Sequence, residues 1–127
     1  MKKQVARKPS TVRRNMYNAP NHVKRKTLSA PLSPSLRAEH GTRSMTVVVD
    51  DTVSITKGDR KLTEGKVIRI DSKDGKLYIE GVTRNRLDGS TVQIPIRAEN
   101  VMITRLNLND NWRRQILERK SFSAMEE

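Results

Sequence analysis

Asp51-Thr52-Val53-Ser54-Ile55-Thr56-Lys57-Gly58-Asp59-Arg60-Lys61-Leu62-Thr63-Glu64-Gly65-Lys66-Val67-Ile68-Arg69-Ile70-Asp71 reads as two short strands on either side of a charged turn. Val53 and Ile55 alternate with Thr52, Ser54 and Thr56, the period of a half-buried strand, and Val67, Ile68 and Ile70 bring β-branched side chains to the second strand. Lys57-Gly58-Asp59-Arg60-Lys61 between them is a loop tip with three cations. Outward from this unit the pattern repeats in segments 46–49, 76–82, 91–96 and 101–106. Asp74-Gly75 is a two-residue hairpin signal, and Leu87-Asp88-Gly89-Ser90 is a further turn. Five or six strands at such tight spacing predict a mainly β fold, a small antiparallel barrel that removes its sheet edges by closing on itself. Val53, Ile55, Val67, Ile68, Ile70, Leu77, Ile79, Val82, Val92, Ile94, Val101 and Ile103 are expected to fill it. Gly65 is expected to serve the backbone, by close approach or an unusual φ where the loop re-enters the sheet.

Beyond the strands, Asn109-Asp110-Asn111 is a capping signal for a helix over 109–120, with Asp110 favourable at its positive end and Arg119 and Lys120 at its negative end. Trp112 and Ile116 fall four apart and are expected to pack this helix onto the barrel, a reading preferred to base stacking by Trp112, with Arg113, Arg114 and Arg119 pointing outward. Residues 121–127 form a polar tail.

Upstream, the composition changes. Residues 1–44 hold 11 Lys+Arg and one acid, Glu39, whereas residues 45–127 hold 15 and 13, so the net charge of +12 divides into +10 on an arm and +2 on the strand region. The arm's sparse apolar residues cannot offset an ordering entropy of roughly 1–2 kcal/mol per residue, so it is expected to order only when a polyanion neutralises it. Two short helical pieces are legible within it. Ser33 as N-cap, Pro34 at the first helical position and Gly41 past the end frame one, and His22-Val23-Lys24-Arg25-Lys26 forms the other. Pro9, Pro20, Pro31 and Pro34 exclude one long helix.

Composition excludes several classes of function. With 127 residues, 34% of them hydrophobic and only Tyr17, Tyr78, Trp112 and Phe122 aromatic, the chain has material for one small core. No apolar run approaches the roughly 18 residues of a membrane span, and no signal-peptide stretch opens the chain, so a soluble protein without a membrane partner is expected. Cysteine is absent, which excludes disulfides and thiolate chemistry, and two histidines, His22 and His40, leave little for zinc. Asp50-Asp51 and the acids at Asp71 and Asp74 sit at strand ends and turns, where carboxylates serve local hydrogen bonds, and no nucleophile or phosphate-cradling glycine loop accompanies them. No enzyme, cofactor, metal or small-molecule substrate is expected.

The quoted stretch resembles a KOW motif: alternating apolar residues, a basic loop and a glycine, Gly65, opening the second strand. Its setting is more specific than the motif. Tyr17-Asn18-Ala19-Pro20, Leu28-Ser29-Ala30-Pro31-Leu32-Ser33, Tyr78-Ile79-Glu80-Gly81-Val82, Asn100-Val101-Met102-Ile103 and Glu118-Arg119-Lys120 together resemble the universal KOW-domain protein of the large ribosomal subunit. That family is numbered twenty-four in bacteria and twenty-six in eukaryotes, and the likeness, over about residues 4 to 120, is to its archaeal and eukaryotic branch, the archaeal form most of all. The resemblance implies an SH3-like barrel at 45–108 bound to the 5′ region of large-subunit ribosomal RNA early in assembly. It also implies neighbouring ribosomal proteins as partners, a place near the nascent-chain exit and a cytoplasmic location. Two departures stand out: Asp50-Asp51 where the family often has Gly-Asp, and Lys61-Leu62 where it often has Lys-Gly. Leucine does not enter positive φ as glycine does, which leaves the shape of this loop open.

Ribosomal RNA is recognised largely by shape, phosphate and 2′-OH contacts. Arg7, Arg13, Arg14, Arg25, Arg37 and Arg43 offer planar forks for phosphates, and Lys2, Lys3, Lys8, Lys24 and Lys26 offer mobile charges. Tyr17, Asn18 and His22 are candidates for contacts with unpaired bases. In the barrel, Lys57, Gly58, Arg60 and Lys61 make a phosphate-binding tip, with Lys66, Arg84, Arg86, Arg113 and Arg114 as further candidates. Two alternatives share the charge. A KOW-type transcription elongation factor would bind polymerase or nascent RNA, usually beside a separate protein-binding domain, and a histone-like DNA-compacting protein would not call for a turn-rich barrel.

Overall fold

The computed structural model describes residues 5–126. Helices α1 (Pro9–Asn18) and α2 (Asn21–Lys24) lead through a 3-10 turn at Arg25–Leu28 to strand β1 (Ser29–Pro31), followed by α3 (Pro34–His40) and β2 (Ser44–Thr46). The larger sheet comprises β3 (Thr52–Ile55), β4 (Glu64–Asp71), β5 (Lys76–Asn85), β6 (Thr91–Arg97) and β7 (Val101–Arg105), and α4 (Asn111–Glu126) follows.

The short helices obey local chemistry. Ser33 accepts from the Leu36 amide, Pro34 occupies the first turn, and Gly41 ends α3 at φ 65° with its N–H on the Arg37 carbonyl. Helix α1 departs from the expectation of extended chain there. Pro9 opens it, at a position where a missing N–H costs nothing, and Ala19 ends it because a residue before proline (Pro20) is driven to extended φ/ψ.

The fold is mainly β, as expected, with antiparallel strands in the order β6-β5-β4-β3-β7. The expected closure by strand pairing does not occur among the described residues. β6 and β7 are the two edges, and the β7 edge is covered instead by the upstream segment, where Leu32 bridges Ile103 and the Ser33 amide donates to the Ile103 carbonyl at 2.9 Å. Strand β1 pairs with β2 alongside, Ala30 opposite Met45.

The core contains Val53, Ile55, Val67, Leu77, Ile79, Val82, Val101 and Ile103 as expected, with Ile70 and Ile94 packed against it and Val92 half-buried. Ile68 is a correction: between Val67 opposite Ile79 and Arg69 opposite Tyr78 the register shifts by one residue, and this bulge leaves Ile68 46% exposed. Leu28, Ala30, Leu32, Met45 and Val47 are buried in the same core. Burying Leu28 and Leu32 alone is worth about 3–6 kcal/mol at ordinary leucine values, comparable with the net stability of a small domain. The packed unit therefore begins near Leu28.

Three turns and termini also differ from expectation. The β4–β5 connection has four residues, since pairing ends at Asp71 opposite Lys76, and Asp71 Oδ1 accepts from the amides of Lys73 and Asp74. In place of a strand over 46–49, Val48 and Val49 are exposed on the approach to Asp50, which turns the chain at φ 76°. Helix α4, capped by Asp110 Oδ1 on the Trp112 amide at 3.0 Å, runs past Lys120 to Glu126, where a polar tail was expected.

Candidate nucleic-acid interface

The loop after β3 is built to be stiff. The Ile55 amide donates to the Thr63 carbonyl and the Leu62 amide to the Ile55 carbonyl, both at 2.9 Å, and Arg60 Nη2 reaches the Thr83 carbonyl of β5 at 3.0 Å. Leu62 takes φ 71° in this loop and is 83% exposed. Leu62 and Asp50 are the only non-glycine positive-φ residues among those described, and they stand at the two departures from the resembled motif noted in the sequence. The loop thus keeps a glycine-like backbone without glycine. Gly65, as expected, serves a close approach: a Cβ there would lie 2.6 Å from the Glu80 carbonyl oxygen and 2.8 Å from Ile79 Cγ2.

This anchoring sets the loop against β5 and β6. Lys57, Gly58, Arg60 and Arg84 line one cleft of about 610 Å³ together with Lys76, Arg97 and an apolar floor of Ile94, Pro95 and Ile96. Five cations and a single acid, Asp59, face this space. Lys24 and Lys26 of the arm line a second cleft of about 410 Å³ with Lys73 and, again, Arg97, four cations against the two acids Asp74 and Glu99. Arg97 therefore joins the two into one basic track from the arm to the loop tip. Its acid neighbour Glu99, at 3.5 Å and with both side chains about two-thirds exposed, is the kind of surface pair that contributes little. Lys73, Lys76 and Arg97 escaped the sequence reading, because strand register and the return of the arm bring them there.

Arg84 and Arg86 line a further cleft at the β5–β6 tip beside Leu87 and Asp88. The amide and hydroxyl of Ser90 hold the Asp88 carboxyl below its usual range. With two cations against one acid, this tip is a poorer phosphate seat than the main cleft, where five cations face one.

Elsewhere the sequence candidates divide. Arg7, Lys8, Arg13, Arg14, Tyr17 and Asn18 are exposed along α1 and its approach, Tyr17 at 82%, and His22, Arg25 and Lys26 are exposed beyond it. Lys61, Lys66 and Arg43 are exposed outside the track. Arg37 donates Nε to the Leu32 carbonyl at 2.9 Å, and Arg114 donates Nε to the Leu108 carbonyl at 2.6 Å beside the α3–α4 cleft. Lys2 and Lys3 lie outside the described residues.

Arg113 and Trp112 exchange their expected places. Arg113, expected to point outward, is 4% exposed and grips the fully buried Asp51 with both terminal nitrogens at 2.6 Å, while also donating to the carbonyls of Asn107 at 2.8 Å and Thr46 at 3.1 Å. Asp51 further accepts from the amides of Val48 and Asn107. With Arg113 and Leu117 one turn apart facing the core, Trp112 falls on the outer face, 72% exposed. The buried ion pair, not the indole, fastens the start of α4.

Among the described residues no helix is long and apolar enough to cross a membrane, and no group of three or more His, Asp or Glu could hold a metal ion. Comparison with known proteins agrees with the residue reading. Three archaeal proteins named large ribosomal subunit protein uL24 are similar to this chain. That of Korarchaeum cryptofilum is 40% identical over 94% of this chain and 91% of its own, and that of Methanosarcina barkeri 45% over 86% and 94%. The Sulfurisphaera tokodaii protein is 41% identical over 91% and 86%. The family model that unites the eukaryotic ribosomal proteins L26 with their archaeal counterparts matches residues 6–120, and the chain belongs to that family of ribosomal proteins, not of enzymes.

Proposed function

We propose that this chain is a structural constituent of the large ribosomal subunit, working in the cytoplasm, that grips the 5′ region of large-subunit rRNA early in assembly. It would sit beside neighbouring ribosomal proteins near the nascent-chain exit. The observation that carries the RNA contact is the basic track through Arg97, which aligns the arm's cations with those of the β3–β4 loop. Residues 1–27 supply nine Lys and Arg and no acid. Helix α1 buries no residue, and ten-residue helices without packing are marginal in water, so the arm gains its order from the phosphates it neutralises. A polymerase-binding role is not favoured, because the relatives over nearly the whole chain are named as ribosomal proteins.

Deletion of residues 1–27, which spares the buried Leu28, tests the reading. Binding to a transcript of the rRNA 5′ region, followed against KCl, should lose up to about 6 units of log–log slope if each of the nine cations neutralises one phosphate at roughly 0.7 apiece. An unchanged slope, or full-length protein that sediments free of large subunits at moderate salt, overturns it.

A further inference from the structure

Lys76 and Arg97 stand directly opposite each other in the β5–β6 register. Like charges in such a cross-strand pair repel, so the free protein carries an arrangement that its own sheet does not favour. Local acids relieve it only in part. Asp71 stands opposite Lys76 on β4 but no acid comes within ion-pair distance of Lys76 among the described residues, and Glu99 meets Arg97 at 3.5 Å with both side chains about two-thirds exposed. Both side chains line the main cleft, Lys76 half-buried at its wall, and Arg97 alone also lines the cleft beneath the arm.

Resting on the proposed rRNA contact, we infer that Lys76 and Arg97 together bind one bridging RNA phosphate, at the point where a single strand passes from the arm's cleft to the β3–β4 loop. A phosphodiester converts the repelling pair into two charge-assisted hydrogen bonds, with the arginine fork fixing its orientation and the lysine closing as a point charge. The floor of Ile94 and Pro95 lies beside it, where a ribose or base rests without losing a polar partner. The strand thus has a fixed crossing between two flanking clefts.

The test uses the full chain, Lys76→Gln, Arg97→Gln and the double variant, with the rRNA 5′-region transcript and the two flanking cations Lys57 and Lys24 as controls. Each single change should weaken binding roughly tenfold. The double should lower the salt slope by about one phosphate, 0.7–0.9, because both cations serve the same one. In the absence of RNA, Lys76→Gln should melt close to the parent, since it removes the repulsion from Arg97 together with the attraction of Asp71. A double variant that loses two phosphates' worth of slope, or that binds as the parent does while Lys57→Gln and Lys24→Gln weaken binding, overturns the shared phosphate alone. Failure of the parent itself to bind the transcript overturns the underlying function.

Discussion

Replacing Arg113 by methionine separates structure from RNA contact more sharply than any other change. The guanidinium makes four hydrogen bonds, two of them to a carboxylate with no exposure to water. Arg113→Met keeps much of the side-chain volume but leaves Asp51 charged, buried and held only by the amides of Val48 and Asn107. Breaking one side of a buried pair costs about 3–5 kcal/mol, against a net stability of about 5–15 kcal/mol. For a packed unit of this size, at about 4 °C per kcal/mol, the midpoint should fall by about 12–20 °C in a thermal melt. Raising KCl to 0.5 M should not narrow the gap, because ions screen buried charges poorly. The double variant Asp51→Asn/Arg113→Met should lose less than the sum of the singles, since the uncompensated charge is gone. A melt within 3 °C of the parent, together with weakened RNA binding, would refute the assignment and return Arg113 to the surface.

Gly65→Ala should destabilise by about 1–3 kcal/mol in urea unfolding, because its Cβ meets a backbone carbonyl at 2.6 Å; an unchanged midpoint would mean that β5 moves aside freely. Leu62→Gly should be neutral or stabilising by up to about 1 kcal/mol, the relief of positive φ outweighing the added freedom of the unfolded chain, and a loss larger than that would expose an unrecognised packing role for this side chain. At the β5–β6 tip the Asp88 carboxyl titrates below its ordinary 3.8, so its contribution to turn order is fully present above that value and lost as pH falls through the lower folded-state value. The Ser90 amide shift followed by NMR from pH 6 to 2 should move late; a midpoint above 3.8 would contradict the hydrogen bonds.

Elements with local signals were legible. The frame Ser33, Pro34 and Gly41 placed α3, and alternation placed most of the core strands. Misreadings arose where a distant partner decides. Ile68 turns out because a single extra residue on β4 shifts the register against β5, which periodicity cannot reveal. Leu28 and Leu32 read as sparse arm residues because their cover is distant in sequence: the edge of β7 for Leu32, and the chain around Val47 for Leu28. Arg113 and Trp112 traded faces because Asp51, 62 positions away, offered a buried carboxylate that outranks an indole as an anchor. At the interface, the loop cations are visible from their turn, whereas Lys76 and Arg97 become neighbours only through strand pairing.

The cover on β7 also has a temporal consequence. Leu28, Ala30 and Leu32 leave the ribosome before Ile103 has been made, and Asp51 before Arg113. At roughly 5–20 residues per second, Asp51 waits roughly 3–12 s for its counter-ion across those 62 positions. During that interval an apolar strand stands without its partner. Lys24-Arg25-Lys26 immediately upstream and Pro31 within it discourage pairing with another chain, so cations suited to RNA also act as gatekeepers for a newborn polypeptide whose fold is completed from its far end.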